Sequence, residues 1–221
     1  DFKPMDVSSA AHSQLEEQTI ISRPDNDKTV IGHSARFNPF AKNQFGFLLA
    51  AKRLLEIRQD VHFLMVGNGI DSENKLLEQY ICYLGIGKHV SRLGQREDMP
   101  IVYNLADIWS SVSRTEAFAN AILEAMSCGK LVTSTATGMP ELSVRDANLI
   151  IPVPETAAPD ECWIERQVRA WLYLMGMSPL EKEKLQRSNR QWVSNNFNAA
   201  HQYGKYYGLY DSLLVGGEEL V

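Results

Sequence analysis

Val61-His62-Phe63-Leu64-Met65-Val66-Gly67-Asn68-Gly69 decides the fold class. An apolar run this short, β-branched at both ends, reads as a strand covered on both faces. Gly67-Asn68-Gly69 stops it with a tight turn. Upstream, Thr29-Val30-Ile31-Gly32-His33 is a second short strand, followed by the turn residues Asn38 and Pro39. Between the two runs, Phe45, Leu48, Leu49, Lys52 and Leu55 follow helical spacing. Downstream, Leu76, Leu77, Tyr80 and Ile81 predict a helix ending near Gly85. Residues 89–94 predict a weaker third strand, 101–106 a short helix, and 107–110 a fourth strand. Residues 117–128, rich in Ala, predict a helix; 130–134 and 148–151 predict the fifth and sixth strands.

Strands and helices alternating at this spacing predict right-handed βαβ units, hence a Rossmann-like, doubly wound parallel α/β sheet. After Pro152 no strand signal remains. Trp163, Val168, Trp171, Leu172, Leu174 and Met175 predict one helix, 179–197 a second, and the Tyr-rich run 203–214 a third. The chain therefore divides into a polar lead-in over 1–28, a Rossmann-like core over 29–153 and a helical extension over 154–221.

Composition narrows the function classes. Of 221 residues, 27 are acidic and 22 are Lys or Arg, a formal charge of -5, which argues against general affinity for nucleic acid or anionic membrane. The three cysteines, Cys82, Cys128 and Cys162, are odd in number and far apart, so they read as buried thiols in a reducing cytoplasm rather than a disulfide or zinc framework. No apolar run approaches the ~20 residues of a membrane span. Asp1-Phe2-Lys3-Pro4 reads as the interior of a longer protein.

In an open α/β sheet, ligands bind beyond the carboxyl ends of the strands. The loops at 34–43, 67–71, 94–99, 111–120 and 135–141 are rich in Gly, charged or hydroxyl residues, and they carry the candidates. Gly67 and Gly69 lack the third glycine of a dinucleotide fingerprint, because Ser72 stands in its place. Asp25-Asn26-Asp27 has the form of an Asp-x-Asp metal motif but precedes the first strand, away from these loops, and reads as a turn. His33 reads as a core or loop histidine.

The segment from Ser113 to Gly129, SRTEAFANAILEAMSCG, resembles the signature of glycosyltransferase family 4: two glutamates separated by seven residues, then Ala-Met and a Gly. Ala35-Arg36-Phe37-Asn38-Pro39 with Lys42-Asn43 resembles the family's phosphate loop. Val66-Gly67-Asn68-Gly69, Leu84-Gly85 with Leu93-Gly94, and Thr137-Gly138-Met139-Pro140-Glu141 resemble later landmarks in the expected order, and Phe2-x-Pro4 resembles the start of the domain. The resemblance covers residues 1 to about 215 of the chain. It implies the nucleotide-sugar-binding, C-terminal half of a retaining two-domain (GT-B) transferase.

What that resemblance implies for chemistry is specific. A diphosphate needs cations: Arg36 offers a planar fork and Lys42 a point charge. Both are expected to stabilise charge on the departing diphosphate. Read without the family, they are two solvated charges on a surface loop. Glu116 is assigned to the sugar hydroxyls and Glu124 to the ribose hydroxyls. Phe118, Ala119 and Asn120 are expected to offer backbone amides at a helix start. Gly67 is a turn residue with a minor place near the donor, and Gln95 either approaches the nucleobase or is plain loop. Glu141 stands where the family places a donor-side acid. No cofactor and no metal are expected beyond the nucleotide-sugar donor.

The partners implied are that donor and a missing N-terminal domain. The setting is cytoplasmic and compatible with peripheral membrane association of the full protein. The tail tyrosines Tyr203, Tyr206, Tyr207 and Tyr210 read as packing residues, and the resemblance sends their helix back toward the missing domain. A second reading stays open: a nucleotide-binding or partner-docking fragment without chemistry.

Overall fold

The computed structural model of the chain describes residues 23, 27–138, 144, 146, 149–155 and 159–215, of 199–202 and 215 the backbone alone. Among these residues one sheet forms, from β1 (Thr29–Ser34), β2 (Val61–Val66), β3 (Val90–Arg92), β4 (Ile108–Ser111), β5 (Leu131–Thr135) and β6 (Ile150–Ile151). The order is β3-β2-β1-β4-β5-β6 and every pairing is parallel. All six positions of β2 are buried, as a strand covered on both faces requires. It pairs with β1 in register from Thr29↔Val61 to Ser34↔Val66. The chain first steps outward from β1 to β2 and β3, then returns to β4 on the other side of β1. That reversal lies between β1 and β4, the switch point at whose carboxyl ends open α/β sheets bind ligands. The edge strands span only three and two residues, which leaves little unpaired edge.

The helices are α1 (Gln44–Leu55), α2 (Lys75–Leu84), α3 (Met99–Asn104), α4 (Asn120–Ser127), α5 (Glu161–Gly176), α6 (Pro179–Asn196) and α7 (Ala199–Val215). Local chemistry sets several starts. The Asn74 side chain accepts the Leu77 N–H at α2, Asp160 accepts the Trp163 N–H at α5, and Ser178 with Glu181 forms a capping box at α6. The extension folds back on the sheet. α5 packs on α1, where Arg53 Nε donates to Glu165 Oε1 at 2.6 Å. Trp171 of α5 is fully buried, 5.6 Å from the Phe47 ring and 5.8 Å from that of Phe63, and its indole N–H donates to Ser110 Oγ at 2.6 Å. α6 packs on α4, and Phe197 at its end meets Phe118 at 5.6 Å.

Four expectations need correction. The helix expected over 117–128 starts at Asn120, so Glu124 sits one turn into it and not two. The Glu116 N–H donates to Thr137 Oγ1 at 3.1 Å, and this tertiary bond holds the preceding residues out of the helix. The third strand shrinks to Val90–Arg92 because His89 belongs to a 3₁₀ turn, its Nδ1 bonded to the Val61 carbonyl at 3.0 Å. Cys82 and Cys162 are exposed, and only Cys128 is buried; all three are free thiols. The tail tyrosines do not pack: on α7, Tyr203, Tyr206, Tyr207 and Tyr210 are each more than half exposed. No described helix is long and apolar enough to cross a membrane. Phe2, Pro4, Asp25, Asn26, Met139, Pro140 and Glu141 lie outside the described residues.

Candidate functional site

The loops at the carboxyl ends of β1, β2, β3, β4 and β5 are stitched to one another. The loop after β1 is an internally braced turn. The Ala41 N–H donates to Asn38 Oδ1 (2.9 Å), the Lys42 N–H to the Asn38 carbonyl (2.8 Å), and Gln44 Nε2 to the Arg36 carbonyl (2.8 Å). Asn43 ends the loop with φ 54°, a left-handed backbone that asparagine tolerates better than most residues. The Arg114 N–H donates to the Ala41 carbonyl at 2.8 Å and the Arg114 guanidinium lies 5.1 Å from the Phe40 ring centre, so the loops after β1 and β4 are clasped.

Within that clasp, Lys42 Nζ meets Glu116 Oε1 at 2.5 Å, both side chains about four-fifths buried. Ser113 Oγ donates to the same oxygen at 2.8 Å. Ser113 is itself buried, and its carbonyl accepts from Thr135 Oγ1 on β5. Gly138 lies against this pair with φ 66°; a Cβ there would stand 2.6 Å from Glu116 Cβ and 3.2 Å from the Ala119 N. Glycine at 138 therefore lets the backbone pass directly behind Glu116, beside the start of α4.

Glu124 is held differently. Its Oε2 accepts from the Tyr103 hydroxyl at 2.8 Å. Burial pushes the Glu124 carboxyl above the usual carboxylate range, and the Tyr103 bond opposes that rise in part. On the other side of β1, Gly67 adopts φ 141°, and a Cβ there would stand 2.1 Å from the Ala35 carbonyl oxygen, so only glycine lets the β2 turn press on the β1 loop. Asn68 Nδ2 donates to Gln95 Oε1 at 3.1 Å, tying the β2 turn to the β3 loop.

The structure thus joins Lys42 and Glu116 directly and sets Ala119 beside them across Gly138. Phe118 lies in the same loop and Asn120 opens α4. It does not bring Arg36 or Gln95 into that cluster: both are exposed, and the Arg36 side chain has no hydrogen bond or ion pair among the described residues. Beneath the cluster lies His33, fully buried and stacked on Phe47, its Nδ1 against the Ser110 carbonyl at 2.9 Å. Burial pulls its pKa down to about 4, opposed by the Ser110 carbonyl. Among the described residues no three His, Cys, Asp or Glu converge as a metal site. Sequence reasoning missed Ser113, Thr137 and Tyr103, the residues that hold the two glutamates. Ser113 and Thr137 stood inside quoted motifs, but only the fold shows that their hydroxyls turn to Glu116.

Residues 28–162, more than half of the chain, match the family model of glycosyl transferases group 1. The chain belongs to the glycosyl transferases group 1 family. It is similar to D-inositol 3-phosphate glycosyltransferase of Mycobacterium sp. (strain KMS), 32% identical over 124 residues, which are 55% of this chain and 28% of that protein. Its counterpart in Mycobacteroides abscessus is 31% identical over 134 residues, 59% of this chain and 30% of that protein. The matched stretches thus span less than a third of these curated relatives. Among solved structures, a glycosyltransferase from Rickettsia africae ESF-5 superposes with a TM-score of 0.71 at 23% identity, over 86% of this chain and 49% of its own. HepE of Anabaena in complex with UDP superposes with a TM-score of 0.67 at 25% identity, over 84% and 49%. Both superpositions match the Rossmann-like parallel sheet and its flanking helices.

Proposed function

We propose that this group 1 transferase chain is the donor-binding half of a retaining GT-B enzyme of family 4, moving a hexose from a nucleoside diphosphate to an acceptor hydroxyl. The observation that carries the reading is the Lys42–Glu116 pair, clasped between the loops after β1 and β4 and set beside the amino end of α4. A cation, a carboxylate and a helix amino end converge where a sugar joined to a diphosphate presents hydroxyls and negative charge. Lys42, joined by the exposed Arg36, neutralises charge growing on the departing diphosphate. Glu116, freed from Lys42 when phosphate arrives, takes sugar hydroxyls; Glu124 takes the ribose hydroxyls. The amides at Phe118, Ala119 and Asn120 meet phosphate and sugar oxygens, Gly67 keeps the β2 turn low beside them, and Gln95 lies toward the nucleobase.

These cations supply the charge that leaving-group stabilisation needs, and the reading calls on no metal or cofactor. The solved complex of HepE with UDP supports a nucleotide-sugar donor. The short span of the match to its relatives, and the exposed apolar side chains of α7, support a separate N-terminal domain that brings the acceptor and completes the cleft. On this reading the isolated chain binds donor without useful turnover. The setting is cytoplasmic polysaccharide or glycolipid synthesis, with peripheral membrane association through the full protein.

Thermal unfolding with UDP, GDP and ADP, on the unaltered chain and on Arg36→Ala and Glu124→Ala, tests the reading. A nucleotide at 100 times its Kd adds about 2.7 kcal/mol, a rise in Tm of roughly 5 °C or more. A rise with one nucleotide that both variants lose supports the donor site and names the base. No rise with any of the three, from a folded chain, overturns it.

A further inference from the structure

Tyr103, on α3, is one apolar-looking residue in a short helix, yet its hydroxyl is aimed at the candidate site. It donates to Glu124 Oε2 at 2.8 Å and lies 3.5 Å from Ser34 Oγ at the end of β1. The residue is 1% exposed. Its ring meets the Trp109 ring edge to face at 4.8 Å, and the Trp109 indole N–H donates to the Tyr103 carbonyl at 2.9 Å. Trp109 is buried in turn and presses on Gly32, where an added Cβ would stand 2.6 Å from the indole. Ring and backbone of Tyr103 are therefore fixed by the core, and its hydroxyl is a donor that cannot drift.

A free glutamate samples many rotamers, and ordering it on binding lowers affinity. Glu124 is spared that ordering, because one carboxylate oxygen is already taken by a rigid donor. The other oxygen, and the spare lone pair of the first, remain to accept further hydrogen bonds. Burial disfavours the charged carboxylate, while the Tyr103 bond favours it.

We propose that Tyr103 is a positioning residue for Glu124: it presets the carboxylate that receives the ribose hydroxyls, so discrimination between ribose and deoxyribose depends on it. The proposal rests on the assignment of Glu124 to the ribose made above. The experiment is titration calorimetry of the chain, Tyr103→Phe and Glu124→Ala with UDP, GDP and ADP, each against its 2′,3′-dideoxy counterpart. Hydrogen bonds to a charged group support a ribose preference of about tenfold or more in the unaltered chain. Glu124→Ala abolishes it. Tyr103→Phe, which keeps the ring and its packing on Trp109, lowers it several-fold and leaves dideoxy affinity unchanged.

If Tyr103→Phe keeps the preference while Glu124→Ala loses it, or weakens both ligands alike, Tyr103 is merely structural and the donor reading stands alone. A preference that survives Glu124→Ala, or no binding of any nucleotide, overturns the ribose assignment and this proposal together. A second readout needs no ligand. The Glu124 carboxyl, followed by carbon NMR, titrates at higher pH in Tyr103→Phe; an unchanged titration overturns the proposal.

Discussion

Glu116 and Glu124 stand eight residues apart in one segment, and the fold treats them in opposite ways. Glu116 lies in a loop, paired with Lys42 and bonded by Ser113, its charge answered by a cation. Glu124 lies in a helix and has a phenol for a partner, and burial raises its pKa. One carboxylate is held by an ion pair and the other by a phenol fixed in the core. Two identical side chains in one motif therefore acquire different chemistry from what the rest of the chain places opposite them.

Substitutions at the two acids give the widest contrast. On the donor-half reading proposed above, and with an acceptor domain present, Lys42→Ala, which removes a cation facing the leaving diphosphate, and Glu116→Ala, which removes the partner of the sugar hydroxyls, each lower kcat by about 10²–10³-fold. The double variant loses little more than the worse single, since the two groups act as a unit. Glu124→Ala acts chiefly on donor KM. Steady-state kinetics that found equal KM effects at all three positions would erase the distinction.

The ground beneath Glu116 gives a pH test. His33 stays neutral in the fold down to about 4, whereas in the unfolded chain it charges near its ordinary 6.5. Its contribution to stability is full above about pH 6.5 and drains away as pH falls toward 4, about 3 kcal/mol across the window. Urea unfolding of His33→Leu should show a flatter pH dependence there than the unaltered chain. An identical slope would mean that His33 takes up its proton in the fold.

Two glycines sharpen the backbone side of the comparison. Gly138→Ala places a side chain against Glu116 and in a left-handed backbone, which alone costs about 1–2 kcal/mol. At Gly176, near the end of α5, an added Cβ meets nothing within 4 Å, so Gly176→Ala should be neutral or slightly stabilising. Equal Tm changes would show that the wall behind Glu116 yields freely. The smallest effect belongs to Glu124→Gln. A raised carboxyl pKa stabilises the fold below the unfolded value, and that contribution is lost as pH rises through the folded value. Glu124→Gln should therefore be slightly more stable than the unaltered chain at neutral pH, with the gap closing below about pH 4. A gap that widens in acid would contradict the burial cause.

Much of this was legible in the residues. The run from Val61 to Val66 declared a strand buried on both faces, and each of its six residues is buried. The spacing of Glu116 and Glu124 drew attention to the loop after β4. Periodicity cannot see bonds that cross the fold, however. The Thr137 hydroxyl, 21 residues away, holds Glu116 out of α4 and shifts the helix start to Asn120. Tyr103 carried no signal of its own in the short helix expected over 101–106, because the direction of its hydroxyl depends on the packing of Trp109. Helical aromatics were ambiguous in the same way: Trp171 of α5 finds Phe47 and Phe63, whereas Tyr207 of α7 meets solvent. Their spacing was similar, and only the surface opposite each helix differed.

The seating of Trp171 also bears on how the chain is made. β1 and α1 are made before α5, yet the lid over Phe47 and Phe63 is α5, more than a hundred residues later in the sequence. Until residues 161–176 have left the ribosome, those rings lack their cover and the interior is open to water. Contacts so far apart along the chain close slowly, and the half-made sheet is a target for chaperones or for aggregation. A chain stopped at residue 158 should bind a hydrophobic dye that the longer chain excludes, and a dye-silent truncation would show that the sheet seals itself without α5.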